Sequence, residues 1–308
     1  MKGFLTLATG KDLYYILAHN LLLSYKYHTK SPMPFAILCD KENAWTADFD
    51  QAIVIDNPTN SFMDKMRMVD LSPFDETIFI ETDCLIYRDM NGLWDLFKNS
   101  PDIGLLGHTF PNDSDKGWWK HENLGDLKDK VDYKITCQGG LYYVRNHSKD
   151  LHAIMETCKF IEEHYRSYHF SIFENIMEDE TILCLACAVH HLRPVTNWLN
   201  VFVYYPEAVI SMADIRKGTL KAYWAQGDGT LFPNPYFIHF CTNNTLSPTG
   251  GGLYYREVSR LKDKPDWKRR FRINLFAIGR RTVNHSRFFK AVANLFPKEL
   301  RNKYNKVR

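Results

Sequence analysis

Short apolar runs separated by amphipathic stretches make up the first half of the chain. Four runs are rich in apolar and β-forming residues and long enough for one buried strand each: residues 3–9, 34–39, 51–56 and 77–80. A helical pattern follows the first run and continues through Leu23, with six residues on its inner face: Leu13, Ile16, Leu17, Asn20, Leu21 and Ser24. Strand and helix alternation predicts an α/β domain with a mainly parallel sheet, whose ligands bind at the carboxyl ends of the strands.

The fourth run ends at two carboxylates, Glu81 and Asp83. Alternate positions of an extended chain point to the same side, about 7 Å apart. Two such carboxylates repel each other unless a cation lies between them. Divalent cations that carry phosphates are bound by one or two protein carboxylates together with the substrate's own oxygens. The alternative is a pair of surface acids at a strand end, which is equally common.

Helical patterns flank this motif on both sides. Upstream, residues 63–71 contain Lys65, and downstream Leu93, Trp94 and Phe97 recur at helical spacing. Residues 103–108 then predict a further strand. The polar segment that follows, residues 109–132, contains Trp118 and Trp119, which either form an exposed platform for an acceptor sugar or pack a long loop onto the body.

Three later features carry further candidate chemistry. Gln138, Gly139 and Gly140 interrupt a strand pattern, which indicates a bulge or the close approach of a ligand to the backbone. Residues 150–192 are predicted to be helical, with three acids at 178–180 directly before an apolar run, where the helix dipole also favours acids. His239 alternates with aromatic residues in a strand pattern, where a satisfied core histidine is the ordinary interpretation.

The order of these motifs over roughly residues 3–245 resembles the nucleotide-sugar glycosyltransferases of the GT-A fold, in particular the glycogenin and lipopolysaccharide galactosyltransferase group. The resemblance implies a nucleotide diphosphate sugar as donor, with UDP expected, and Mn²⁺ or Mg²⁺ as cofactor. It implies metal ligation by Glu81, Asp83 and His239. The donor-binding positions that it implies are Ala8, Thr9, Tyr14 or its neighbour Tyr15, Lys65, Glu81, Thr82, Asp83, Gly139 and Gly140. The positions that it places at the donor sugar are Gln138, Asp179 and Glu180.

The sequence departs from the family pattern at several of these positions. Glu81 stands where Asp is usual, Gln138 where Asn is usual, and Glu180 where Gln is usual. The family's late Lys-Pro-Trp motif is absent, and Asn243, Asn244 and Thr245 stand near its place. A carboxylate at residue 179 or 180 could serve as a base in an inverting reaction or stabilise an oxocarbenium-like centre in a retaining one.

Composition narrows the setting. No apolar run approaches the roughly 20 residues that cross a bilayer, and the amino terminus lacks the length of a signal peptide. The seven cysteines are odd in number and scattered, which favours a reducing compartment, and Cys184 and Cys187 lie in an apolar helical run that indicates the core. A cytoplasmic protein is therefore expected, peripheral at the inner face of the membrane if its tail binds there.

The carboxyl-terminal residues are strongly basic. Residues 262–308 hold 15 Lys and Arg against three Asp and Glu, a net charge of +12, whereas the preceding residues hold 24 against 33, a net charge of −9. Phe288, Phe289, Val292, Leu295 and Phe296 form one helical face between basic residues, a pattern typical of a helix in an anionic membrane interface. A helix docked on the acidic body is the alternative, and no nucleic acid is expected as a partner because no reading motif is present.

The sequence therefore predicts a GT-A catalytic domain over residues 1–255 and a basic amphipathic helical tail over residues 256–308. The predicted activity is transfer of a sugar to a glycan or lipid-linked glycan acceptor. Two alternatives remain: a sugar-phosphate nucleotidyltransferase, whose Gly-rich, arginine-bearing first loop is missing here, and a non-catalytic module that binds nucleotide sugars or glycans on the same fold.

Overall fold

The computed structural model describes residues 1–170, 177–225, 229–241 and 252–262. The strands of this part of the chain are β1 (Lys2–Ala8), β2 (Phe35–Cys39), β3 (Gln51–Val54), β4 (Glu76–Ile80), β5 (Cys84–Ile86), β6 (Ile103–Gly104), β7 (Gly107–Pro111), β8 (Tyr133–Cys137), β9 (Leu141–Arg145), β10 (Phe202–Tyr204), β11 (Ala208–Asp214), β12 (Thr219–Trp224) and β13 (Phe237–His239). The α-helices are α1 (Asp12–His28), α2 (Met68–Leu71), α3 (Leu93–Leu96), α4 (Lys149–Glu163), α5 (Asp179–Val189) and α6 (Gly252–Leu261). Short 3₁₀ helices connect them, among which Phe62–Arg67 bears on the site.

A six-stranded sheet in the order β3-β2-β1-β4-β9-β6 forms the centre of the fold. The first four strands are parallel, β9 is antiparallel to β4, and β6 is antiparallel to β9. All five residues of β2 are buried, because helices and loops cover both faces of a parallel sheet. The four predicted amino-terminal strands correspond to β1–β4, and the predicted mainly parallel α/β sheet is confirmed.

Three smaller sheets extend this centre. Strands β10, β13 and β5 form one sheet, β7 pairs with β8, and β11 pairs with β12. Because β5 follows β4 after only three residues, the chain passes from the central sheet into the β10-β13-β5 sheet at Glu81–Asp83. A second connection between two sheets lies directly beside it. Residues 138–140 connect β8 to β9, and β9 pairs with β4 in the central sheet.

Helix α5 is almost wholly buried. It packs against β8 and α4, and its apolar residues belong to the same core as those of the central sheet. Cys184 and Cys187 are in this core, as the sequence predicts. Residues 150–192, predicted to be helical, contain α4, the 3₁₀ segment Tyr165–Tyr168 and α5, and the chain takes a left-handed φ of +47° at His169 between them. The strand predicted over residues 103–108 is also divided, since β6 joins the central sheet and β7 pairs with β8.

The interpretation of Trp118 and Trp119 as an exposed acceptor platform is wrong. Their exposed fractions are 8% and 2%, and both rings are part of the apolar core. Leu124 and Leu127, from the following 3₁₀ segments, are buried in the same core. The alternative, in which a long loop packs onto the body, describes this segment.

The chain divides into two units, Met1–Cys241 and Thr242–Arg308. Described residues of the second unit form α6, in which Arg260 donates to the carboxylate of Glu257 at 2.7 Å. The basic stretch from residue 263 onwards, with the predicted tail helix, lies outside the described residues, as do Asn243, Asn244 and Thr245. No helix in the described ranges combines the length and apolarity that a bilayer crossing requires.

Candidate functional site

The segment Glu81–Asp83, which connects β4 to β5, lies beside residues 138–140, which connect β8 to β9. Ile80, the last residue of β4, pairs with Leu141, the first residue of β9. The Glu81 N–H therefore donates to the carbonyl oxygen of Gly140 at 3.2 Å, and the Phe240 N–H donates to the carbonyl oxygen of Asp83 at 3.1 Å. The backbone between β4 and β5 is thus held by a neighbouring turn on one side and by the end of β13 on the other.

Lys65 is a buried cation that contacts two of the predicted site acids. It lies on the 3₁₀ helix Phe62–Arg67 and is 8% exposed. Its Nζ atom contacts Glu81 Oε1 and lies 3.0 Å from Asp179 Oδ1. Burial lowers the pKa of the Lys65 ammonium, but the charges of Asp179 and Glu81 outweigh it and raise that pKa well above its ordinary value. Lys65 therefore stays charged, and it neutralises acids from two different elements.

Asp179 and Glu180 are held at the amino terminus of α5, where the helix dipole favours acids. Asp179 is 1% exposed and accepts a hydrogen bond from the Tyr142 hydroxyl at 2.7 Å. Glu180 Oε1 accepts from the Gly139 N–H at 2.6 Å. A Cβ atom on Gly139 would lie 2.5 Å from that same oxygen, so this close approach requires glycine.

The pKa values of the acids around Lys65 are shifted in opposite directions. Burial and the charge of Asp179 raise the pKa of Glu180 to about 7, and burial with the charges of Glu180 and Asp179 raises that of Glu178 to about 8. Burial also raises the pKa of Glu81, but Lys65 and His239 outweigh this effect and hold it at about 2. At neutral pH, Glu81 is therefore ionised and Glu180 is close to half protonated.

His239 faces Glu81 and Asp83 from the last strand of the β10-β13-β5 sheet. Its Nε2 atom lies 3.1 Å from Glu81 Oε2 and 3.3 Å from Asp83 Oδ1. Burial lowers the pKa of His239, but the Asp83 and Glu81 carboxylates reverse the effect and raise it to about 10. A Cβ atom on Gly140 would lie 2.7 Å from His239 Nδ1, so the second glycine makes room for this ring.

Asp83, Cys84 and His239 are the described residues whose side chains could together hold a metal ion, and one ligand atom of each lies within 4.8 Å of the others. Asp83 Oδ1 and His239 Nδ1 are buried, and neither has a hydrogen-bond partner within the described ranges. The charge that Asp83 Oδ1 faces is the His239 imidazolium at 3.3 Å, and a metal ion between the two side chains would replace the imidazolium proton. The carboxylate, imidazole and thiol of this group are all metal ligands in proteins, so the residues fit a divalent ion.

The structure brings together most of the predicted site residues. Hydrogen bonds and ion pairs link Lys65, Glu81, Asp83, Gly139, Gly140, Asp179, Glu180 and His239. Thr82 is 8% exposed between the two acids, and Gln138 is half-buried and donates its backbone N–H to the Leu106 carbonyl oxygen at 3.1 Å. We use the name charged cluster for Lys65, Glu81, Asp83, Asp179, Glu180 and His239.

Ala8 and Thr9 end β1, the strand next to β4, and therefore lie at the same edge of the sheet. Tyr14 is half-buried on α1, while Tyr15 is fully buried and its hydroxyl donates to Asp40. Residues 8 and 9 thus lie one strand away from the end of β4. The predicted contact of residues 8, 9 and 14 with a nucleotide stays a prediction.

Two contributors to this site were not predicted from the sequence. Tyr142 belongs to a strand that reads as ordinary core, and only the α5 contact reveals the hydrogen bond from its hydroxyl to Asp179. Cys84 follows Asp83 directly, so strict strand alternation would point it away from the acids. The signal that could have indicated Cys84 is its pairing opposite His239 in the β5 and β13 register, which the sequence does not reveal.

Comparison of folds adds a further observation. No family model matches the sequence, and no curated protein sequence matches it. The apo structure of the bifunctional glycosyltransferase WbbM is 13% identical over 90% of this chain and 51% of its own, with a TM-score of 0.51. This chain has the GT-A fold. It spans about half of the WbbM chain, so the likeness concerns the fold of the shared part.

Two further glycosyltransferase structures are similar with TM-scores below 0.5. The galactosyltransferase LgtC, in complex with donor and acceptor sugar analogues, is 13% identical over 87% of this chain and 99% of its own, with a TM-score of 0.49. The glycosyltransferase GlyE of Streptococcus pneumoniae TIGR4 is 12% identical over 64% of this chain and 45% of its own, with a TM-score of 0.41.

The contacts of Lys65 generate a stability prediction. Replacing Lys65 by Met leaves Glu81 and Asp179 buried without their shared cation, and we expect the free energy of unfolding to fall by about 3–5 kcal/mol. The double variant Lys65→Met/Asp179→Asn should recover part of this loss, because it removes one of the two uncompensated charges. Urea denaturation followed by tryptophan fluorescence measures both changes.

Lys2 supplies the matched control for this prediction. Its Nζ atom lies 3.2 Å from Glu76 Oε2, and its side chain is 42% exposed. Lys2→Met should therefore change the free energy of unfolding by only about 0–1 kcal/mol. Equal losses in Lys65→Met and Lys2→Met would contradict the assignment of Lys65 as a buried compensating charge.

Proposed function

We propose that this chain is a metal-dependent glycosyltransferase that moves a sugar from a nucleotide diphosphate sugar, with UDP as the expected nucleotide, to a glycan or lipid-linked glycan. The observation that carries the proposal is the charged cluster at the carboxyl end of β4 in a GT-A fold. Ligands of α/β sheets bind at such strand ends, and clustered groups with strongly shifted pKa values are typical of functional sites.

In this proposal, Asp83 and His239 hold a Mn²⁺ or Mg²⁺ ion. Asp83 Oδ1 is buried, has no hydrogen bond among the described residues and forms an ion pair with His239 Nε2 at 3.3 Å, so the ion takes the place of the imidazole proton between these two atoms. Such an ion supplies electrostatic stabilisation of the charge that develops on a departing diphosphate. Both oxygens of Glu81 already face Lys65 and His239, so Glu81 orients these two side chains and is less available as a direct ligand.

Asp179 and Glu180 are the proposed groups at the donor sugar. The Tyr142 hydroxyl and Lys65 fix the carboxylate of Asp179, and the Gly139 N–H fixes that of Glu180. A carboxyl group whose pKa is near 7 can accept or donate a proton at neutral pH, which is the range in which general acid–base catalysis is most efficient. We therefore propose Glu180 as the proton-transferring group and Asp179 as an electrostatic neighbour of the reacting carbon.

A binding module without catalysis is a second candidate. The observation that favours it is the number of internal ion pairs in the charged cluster, because Lys65 and His239 already compensate Glu81 without any ligand. Incubation with a panel of nucleotide sugars and Mn²⁺, scored for free nucleotide, separates the two candidates. A transferase or its slow donor hydrolysis releases nucleotide, whereas a binding module does not.

The proposed metal ligands generate a binding prediction. UDP affinity measured by titration calorimetry should rise clearly when Mn²⁺ replaces a chelator, because the ion neutralises the diphosphate. Asp83→Asn should remove this gain, since it replaces a charged ligand by a neutral amide. Asp126→Asn, at an exposed position, serves as the control and should keep the gain. Equal UDP affinity with Mn²⁺ and with chelator would contradict the metal-dependent mechanism.

The proposed roles at the donor sugar generate a kinetic prediction. Asp179→Asn and Glu180→Gln should each lower turnover at least about tenfold, within the range of acid–base contributions, while UDP binding stays nearly unchanged. Because the ionised form of Glu180 is the base, wild-type turnover should rise as pH increases through about 7. Turnover of Glu180→Gln should not show this rise.

Glu178→Gln is the matched control for that kinetic prediction. It neutralises a neighbouring acid that is 8% exposed and precedes the helix, without touching the carboxylates of Asp179 and Glu180. Turnover of this variant should stay close to wild type. If neither Asp179→Asn nor Glu180→Gln lowers turnover, the sugar-site assignment is wrong.

We also propose, from the sequence pattern alone, that the basic tail binds an anionic membrane surface. Each basic residue near such a surface adds about 1 kcal/mol, which salt screens. The full chain should sediment with anionic but not with neutral vesicles, and less so at high salt. Replacing Arg269, Arg270, Arg272, Arg280 and Arg281 by Ser should weaken sedimentation, whereas Lys128→Ser and Lys130→Ser in the body should not. Unchanged sedimentation of the five-residue variant would refute the proposal.

A further inference from the structure

The geometry points to a thiolate ligand in the metal site: we propose that Asp83, Cys84 and His239 together bind Zn²⁺, with Cys84 as a direct ligand. This inference rests on the proposed function only in placing a cation beside Asp83. It goes further by adding a ligand and changing the class of ion. The hard carboxylate set expected from Glu81 and Asp83 suits Mn²⁺ or Mg²⁺, whereas a site with sulfur, nitrogen and oxygen ligands suits Zn²⁺.

The strand register is the first observation behind this inference. Strand β5 pairs antiparallel with β13, and Cys84 is directly opposite His239. Side chains of directly opposite residues have Cβ atoms about 4.5–5.5 Å apart on the same face of an antiparallel pair. The backbone of two paired strands therefore fixes the distance between the thiol and the imidazole, so the approach of the two groups does not depend on a flexible loop.

The second observation is the position of Asp83 relative to that pair. One ligand atom from each of Asp83, Cys84 and His239 lies within 4.8 Å of the others, and Asp83 Oδ1 is 3.3 Å from His239 Nε2. Zinc bonds of about 2.0–2.3 Å in a tetrahedral arrangement place ligand atoms at comparable separations. Three protein ligands also leave a fourth position open, which is the arrangement of catalytic rather than structural zinc sites.

The third observation is the burial of the group and its unsatisfied atoms. Cys84 is fully buried, and the side chain of His239 is 4% exposed. Asp83 Oδ1 has no hydrogen bond within the residues that the structure describes, and it lies 3.3 Å from His239 Nε2, the nitrogen proposed to bind the ion. On binding, the Cys84 thiol and the His239 imidazolium each give a proton to solvent, and the sulfur and Nε2 form bonds to the ion. The two protons released balance the charge of the divalent cation that enters.

Glu81 is not one of the proposed zinc ligands, because both of its carboxylate oxygens already face other side chains. Its Oε1 atom contacts Lys65 and its Oε2 atom lies 3.1 Å from His239 Nε2. When His239 Nε2 binds a cation, Glu81 keeps Lys65 as its compensating charge. The departure from Asp to Glu at this position and the cysteine after Asp83 then belong together, because the ligand that Glu81 gives up is replaced by Cys84.

Cobalt substitution tests the proposed thiolate directly. The full-length protein, titrated with Co²⁺ under reducing conditions, should develop a near-ultraviolet thiolate-to-cobalt charge-transfer band, and Zn²⁺ should displace it. Cys84→Ser should lose the band and bind Zn²⁺ at least about tenfold more weakly, since even residues that only support a metal ligand contribute 10- to 100-fold. The affinity for Mn²⁺, which gains little from sulfur, should change by less than about twofold.

Cys39→Ser is the matched control, because Cys39 is equally buried at the end of strand β2. It should keep both the band and the Zn²⁺ affinity, and thermal melting verifies that each variant is folded. A wild-type protein that binds Co²⁺ without the charge-transfer band overturns the inference, whether or not Cys84→Ser folds. So does a folded Cys84→Ser variant with unchanged Zn²⁺ affinity.

The outcomes separate this inference from the proposed function. Metal-dependent UDP binding without a thiolate band would refute ligation by Cys84 and leave the transferase proposal standing. A thiolate band without any UDP or nucleotide-sugar binding would support the zinc site and refute the transferase proposal.

Discussion

The buried ammonium of Lys65 is the constraint on which the site depends. It is held between Glu81 at the end of β4 and Asp179 at the start of α5, two elements that are far apart in the chain. Buried carboxylates are tolerated only with a compensating charge, so the positions of the 3₁₀ helix, the strand and α5 are coupled through one side chain. The Tyr142 hydroxyl and the Gly139 N–H each add one hydrogen bond, to Asp179 and to Glu180 respectively.

The parts of this fold that follow from local patterns could be predicted. Continuous apolar runs identified β1–β4, and the acids before an apolar helix identified the start of α5. Features decided by distant contacts could not. Nothing in the polar segment around Trp118 and Trp119 shows that core residues will cover both rings. The helical pattern of residues 150–192 likewise does not show that α4 ends at Glu163 or that His169 takes a left-handed φ.

The candidate site also has features that the sequence predicts and features that it does not. Glu81, Asp83, Asp179, Glu180 and His239 were predicted from the order of motifs, and the structure brings them together. The burial of Lys65 was not, because a lysine on a polar helix is usually solvated. Glu180 stands where Gln is usual in the resembled family. The side-chain carbonyl of Gln could accept the same hydrogen bond from Gly139, so the two residues differ in the negative charge that Lys65 helps to offset.

The sequence distances across the site have a consequence for how the molecule is made. Lys65 and Asp179 are 114 residues apart, and Glu81 and His239 are 158 residues apart. A chain emerging from the ribosome presents Glu81 and Asp83 long before the histidine that faces them exists. Contacts of such high order form slowly, and domains of this size commonly fold through intermediates. A chain whose synthesis stops before His239 therefore carries Asp83 without the imidazole that faces it in the complete fold.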